Sequence, residues 1–349
     1  MVQQKLSNLD HYGLARAQTF RREKNRKQLL SVIKYLFLLV LILLGIRLIF
    51  FLPEIWGKIN QPFQKIPSNL VYSSKLDFNY RTNILLGRIE GKDLREVGVA
   101  SISKSDNKAS ILFLNPASKV YTESGSADFT NLLNLRGRMD LDPVGVAVLE
   151  TLSLPLDGYL ITTDKRAWVD QKDLQSLASY LYTPGFFLKS LTIKSYLDRN
   201  LRTNLSIGNL FTIASILKDG QVNYFDFTNK LSSEGFLDSE GIANRLGISV
   251  QDPLIAKEGL TVEIVNESSV GGIEDTFKKM LTTLGANVVS VSKGELTKQS
   301  TVLANNQKSK LAIRLAKLLK VDIKDLPNGN NSVDVKVILG DDFGKYFNF

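Results

Sequence analysis

DPVGVAVLETLSLPLDGYLITT, residues 142–163, changes its hydrophobic period halfway through, and that change sets the fold class. In the first half Val144, Val148 and Leu152 recur at i, i+4 and i+8, one stripe of a helix. Asp142 stands where an N-cap is expected, Pro143 at the first helical position and Pro155 beyond the end. The second half, DGYLITT, reads as a strand. Upstream, RTNILLG (81–87) is a short apolar run closed by glycine. VGVASIS and ASILFLN flank the turn formers Ser105, Asp106 and Asn107, so 97–102 and 110–114 are expected to form a β-hairpin. Downstream, 170–182 and 203–217 have helical patterns, the latter capped by Asn204 or Ser206, and VNYFDF is a last strand. Strands alternating with helices imply an α/β sandwich.

A second, smaller α/β unit follows a connector (231–258) rich in Ser, Gly, Asp and Glu, with a short helix expected near 242–246. TVEIV (261–265) is a strand and NESSVGG a turn. IEDTFKKMLTTLG then places Ile273, Phe277, Met280, Leu281 and Leu284 on one helical face, ended by Gly285. NVVSVS is a strand and STVLAN another candidate. KSKLAIRLAKLLKV is a helix with Leu311, Leu315, Leu318 and Leu319 inward, and VDVKVILG alternates as a half-buried strand does.

Ahead of these lies LLSVIKYLFLLVLILLGIRLIFFL (29–52), closed by Pro53. About 20 helical residues cross a bilayer's hydrocarbon core. Lys34 and Arg47 each lie near an end, from which a long side chain snorkels to the headgroups. Bulky Ile49, Phe50, Phe51 and Leu52 stand where a signal peptide would need small residues, so the span is read as an uncleaved anchor. Residues 1–34 hold eight Lys or Arg against Asp10 and Glu23, a local +6 of the chain's +9. That cluster predicts a cytoplasmic N-terminus and an extracytoplasmic remainder, a single-pass protein of the cell membrane. It also removes the high pI as an argument for nucleic acid, which is not an expected partner. The organisation read is a basic tail (1–28), a transmembrane helix (29–52), a stalk (53–79), a first domain (80–228), a linker (229–258) and a second domain (259–344). With no Cys, and a single His at His11 in the tail, the exported part has no disulfide, little metal chemistry and no His-based triad.

The second domain resembles the C-terminal module of the LytR-CpsA-Psr cell-envelope family through DPLIAKEGLTVEIVNESSVGG, the helix ending in LG, ANVVSVSKG and the closing VDVKVILGDDF. The first is similar to that family's principal domain through RTNILLG, SISKSDNKASILFLNPAS, the 142–163 stretch with Asp157 and Tyr159 in register, and TNLSIGNLFTIASIL. The resemblance implies a mixed-sheet α/β/α sandwich that binds a polyprenyl-pyrophosphate lipid. In active members it also implies transfer of the linked glycopolymer onto peptidoglycan. Such transfer needs Mg2+ on carboxylates and several arginines around the diphosphate.

This chain departs from that pattern. Asp93, Leu94, Arg95 and Glu96 stand for the family's Arg-Ser-Asp, and Asn115, Pro116, Ala117 and Ser118 for its Pro-Arg-Asp. Its Arg-rich segment is reduced to Arg166, Arg199 and Arg202. Arg95, Glu96, Arg136, Arg138 and Asp140 are the remaining candidates for a pyrophosphate site, and solvated loop charge is the competing reading. The expected protein is therefore a non-catalytic scaffold or ligand-binding pseudoenzyme at the cell wall, without cofactor. Its expected partners are the bilayer, peptidoglycan, a polyprenyl-phosphate lipid or other envelope proteins. The alternative is an active transferase, in which Mg2+ would return as cofactor.

Overall fold

The computed structural model describes residues 76–122, 125–133, 139–163, 201–327 and 333–345, with isolated positions from 34 to 66. Residues 1–58 form one unit and residues 59–349 another. In the first, positions 34, 37, 39–43, 47, 53 and 57 are helical, and Phe37, Leu39 and Leu43 are exposed. Among the described residues no helix is long and apolar enough to cross a membrane. Most of the span read at 29–52 lies outside that set, as do the helix expected at 170–182 and both Arg136 and Arg138.

The second unit begins with β1 (Thr82–Glu90), paired antiparallel with β2 (Asp93–Ser103), which pairs antiparallel with β3 (Lys108–Leu114). The expected hairpin is present and longer than its apolar centre suggests. Asn107 takes a left-handed φ of 53° in its turn, a conformation asparagine tolerates. β4 (Lys119–Thr122) and β5 (Gly125–Asp128) form a separate small hairpin. β6 (Gly158–Thr162) lies parallel to β1, β7 (Leu201–Thr203) antiparallel to β6, and β8 (Gln221–Asp226) parallel to β3. The resulting order is β7-β6-β1-β2-β3-β8.

β1 is buried on successive residues because both faces of this sheet are covered, which is why its sequence lacks alternation. α1 (Phe129–Leu133) and α2 (Asp142–Leu152) pack on one face with Leu85, Val97, Val99 and Leu112. α3 (Ile207–Asp219) packs against β2, β3 and β8 and buries Ile207, Leu210, Ala214 and Ile216. Ser206, not Asn204, caps α3, in a reciprocal capping box with Asn209. The cap of α2 corrects the sequence reading as well. Leu141 occupies the N-cap position and Asp142 the first turn, while the Asp140 carboxylate accepts the Asp142 N–H at 3.0 Å. The capping oxygen thus comes from two residues earlier than expected.

The connecting stretch is folded. It holds α4 (Ser239–Leu246), a 3-10 turn (Gly247–Val250) and α5 (Pro253–Glu258). Ile242, Leu246 and Val250 enter the first core, and Ile255 enters the second.

The second domain is a five-stranded sheet in the order β10-β9-β13-β11-β12, formed by β9 (Thr261–Asn266), β10 (Asn287–Lys293), β11 (Thr301–Ala304), β12 (Ile323–Asp325) and β13 (Val335–Leu339). Its helices are α6 (Ile273–Thr283), α7 (Lys310–Leu319) and the short α8 (Asp341–Gly344). All five residues expected on the inner face of α6 are buried, and Gly285 follows its cap with a φ of 95°. On α7, Leu311, Leu315 and Leu319 are buried and Leu318 is only half-buried.

α2 joins the two cores. Val144, Ala147, Val148 and Leu152 belong to the first, and Leu149 to the second. A helix shared in this way is apolar on more than one stripe.

Candidate ligand cavity and ionic junction

Register decides where the candidate charges point. Arg88 of β1 lies directly opposite Glu96 of β2, Leu86 opposite Gly98, and Gly98 opposite Phe113 of β3, so all five share one face of the sheet. Beside them a cavity of about 200 Å3 is lined by Leu86, Gly87, Gly98, Phe113, Leu114 and Pro116, with Arg95, Glu96, Val97 and Thr228. Gly98 cannot be larger, since a Cβ there would run into the Leu112 carbonyl oxygen. Arg88 Nη2 donates to Glu96 Oε1 at 2.7 Å, and that hydrogen bond raises the Arg88 guanidinium above its ordinary value. Arg88 Nε and Glu96 Oε2 are buried without a partner.

Arg95 and Glu96, adjacent in the sequence, do not act together. A β-bulge between Arg88 and Ile89 leaves Arg95 without a cross-strand partner, so both residues line the cavity, but Arg95, half exposed, reaches Asp93 at 3.2 Å and Glu90 at 3.8 Å while Glu96 takes Arg88. Asp140 is committed to the start of α2, away from this cavity's lining. The five candidates therefore do not form one cluster: Arg95 and Glu96 line the same cavity but pair with different partners, Asp140 serves a helix, and Arg136 and Arg138 lie outside the described residues. The 115–118 segment closes on itself. Asn115 Oδ1 accepts the Ala117 N–H, its amide donates to the Thr228 carbonyl, and its own carbonyl accepts the Ser118 N–H. Mg2+ does not fit the described residues here, because Glu96, the one carboxylate in the lining, already faces a guanidinium. Among those residues no group of three or more His, Cys, Asp or Glu is placed to hold a metal ion.

The densest charge lies elsewhere, between the domains. Arg314 of α7 donates to both carboxylate oxygens of Asp157, at 2.5 and 2.7 Å, and to the Arg81 carbonyl at 3.4 Å. Asp157 also accepts the Asn83 N–H at 2.8 Å. Arg81 donates its N–H to Asp252 at 2.8 Å, and its guanidinium to the Gln251 carbonyl and to Asp106, each at 2.9 Å. Asp252 in turn accepts from Leu254 and Ile255 and so caps α5. Burial opposes the charge on Arg314, yet the Asp157 carboxylate holds its guanidinium above the ordinary value. Burial lowers the Arg81 guanidinium against the pull of Asp106 and Asp252, and raises the Asp252 carboxyl against its N–H donors. Sequence reading missed this junction. The available signal was Arg314 itself, a charge set on the apolar stripe of an amphipathic helix.

Residues 259–343 match the family model described as LytR cell envelope-related transcriptional attenuator, which identifies the second domain. No curated protein matches the chain. Among solved structures, B. subtilis TagV is 10% identical, with a TM-score of 0.38, covering 50% of this chain and 98% of its own. B. subtilis TagU is 10% identical, with a TM-score of 0.36 and the same two coverages. The LytR-CPS2A-psr family protein YwtF (TagT), with bound octaprenyl pyrophosphate lipid, is 14% identical, with a TM-score of 0.33, covering 52% of this chain and 97% of its own.

Proposed function

We propose that this is a single-pass, membrane-anchored cell-envelope protein whose first domain binds an apolar ligand without transforming it and whose second domain, a LytR C-terminal module, is fixed to it. The anchor reading rests on the composition of 29–52 and its basic flank. The observation that carries the non-catalytic reading is the Arg88–Glu96 pair. At 2.7 Å each partner answers the other's charge, where diphosphate transfer needs cations aimed at the leaving group. Arg95, the one cation lining the cavity among the described residues, turns toward Asp93 and Glu90 instead. The apolar lining suits a prenyl chain, consistent with the resemblance of RTNILLG and its neighbours to a lipid-binding domain.

One observation favours the alternative, a glycopolymer transferase: Arg88 Nε and Glu96 Oε2 are buried and unpartnered beside the cavity. Full-length protein incubated with a polyprenyl-pyrophosphate-linked glycan and isolated peptidoglycan separates the two readings. The expected result is no covalent transfer above background, with or without Mg2+. Transfer that disappears in Arg88→Met or Glu96→Gln would falsify the non-catalytic reading.

A further inference from the structure

A wider cleft, about 660 Å3, opens where the two domains meet, away from the cavity on the sheet. The end of α2 and the start of α4 form one wall and the outer side of α6 the other. Glu150 and Glu240 stand on the first wall, and Lys278 and Lys279 on the second, with Asp275 one turn before the lysines. Among the described residues none of these five side chains is in an ion pair or side-chain hydrogen bond. Serine and threonine hydroxyls make up most of the remaining lining, and its apolar side chain is that of Ala243.

We propose that this cleft binds a short zwitterionic peptide, its ammonium group toward Glu150 and Glu240 and its terminal carboxylate toward Lys278 and Lys279. The walls carry opposite charges that do not answer each other, so a ligand with separated opposite charges gains a charge-assisted contact at each end. The hydroxyls between serve peptide N–H and C=O groups. An acyl chain would desolvate charged side chains without giving them a partner, and a neutral glycan would leave both charged walls unmatched. The volume lies within the roughly 300–1,000 Å3 of small-ligand sites. The two walls are also held in place before any ligand arrives. α2 is packed into both cores, and the buried Arg314–Asp157 contact ties the domains together. The site stands independently of the reading of the sheet cavity.

Calorimetric titration of the full-length protein in lipid nanodiscs with the tripeptide Lys-Ala-Ala, at low ionic strength, tests the site. Saturable binding is expected. Affinity should fall about tenfold when the amino groups are acetylated, and about tenfold again when the carboxylate is amidated instead. Glu150→Gln with Glu240→Gln should erase the sensitivity to acetylation, and Lys278→Gln with Lys279→Gln the sensitivity to amidation. All four positions are solvent-exposed, so both double variants should keep the wild-type circular dichroism and melting profile. Failure to bind the tripeptide, equal binding of a neutral N-acetylglucosamine oligomer, or indifference to both double variants would overturn the assignment.

Discussion

Arg314 occupies a position that a leucine would otherwise fill, one turn after Leu311 on the inner side of α7, and it is buried. Its charge is tolerable there only because Asp157 receives it through two hydrogen bonds. Arg314→Met leaves that carboxylate buried and uncompensated, so a loss of about 3–5 kcal/mol is expected in urea unfolding. Asp157→Asn should cost less, and the double variant less than the sum of the two, since the sites share one interaction. Tyr80, close by, gives a pH-dependent prediction. Burial, and then the charge of Asp77, push its phenol from 10.0 up to about 12. Burial does the same to Tyr159, again to about 12. Below pH 10 both folded and unfolded chains keep these protons. Between pH 10 and pH 12 the unfolded chain releases protons that the fold retains, so stability falls as pH rises through that window. Urea midpoints measured at steps from pH 9 to pH 12 should show the decline, and Tyr80→Phe should make it shallower.

At the scale of elements, period and punctuation carried most of the information. The hairpin of β2 and β3, the inner face of α6 and the alternation of β13 were all legible, because each is a local pattern imposed by one buried face. Caps were less so. Asn204 and Ser206 look equivalent in the sequence, yet Asn204 instead accepts the Tyr159 N–H, leaving Ser206 to cap α3. Ser206→Ala should therefore lower stability by about 1 kcal/mol, seen as a shift of the thermal midpoint, while Ser206→Asp should largely keep it. β12, three residues long and mostly exposed, was not anticipated. A strand that short has too little apolar pattern to announce itself.

At the scale of the whole chain, the charge asymmetry around 29–52 predicts orientation, and a reporter makes that testable. Alkaline phosphatase fused after Phe349 should be active in cells, and a fluorescent protein that folds only in the cytoplasm should stay dark at the same position. The opposite pattern would remove the envelope reading altogether. What residue order alone determined is the class of each domain, the basic, apolar N-terminal region, and the absence of cysteine. These are statements about neighbours along the chain or about composition. Only the tertiary structure decided that Arg95 and Glu96 take different partners beside one cavity, that α2 is shared by two cores, and that Arg314 reaches Asp157 across 157 positions. Contacts that distant follow from how packed layers bring faces together, and no local period records them.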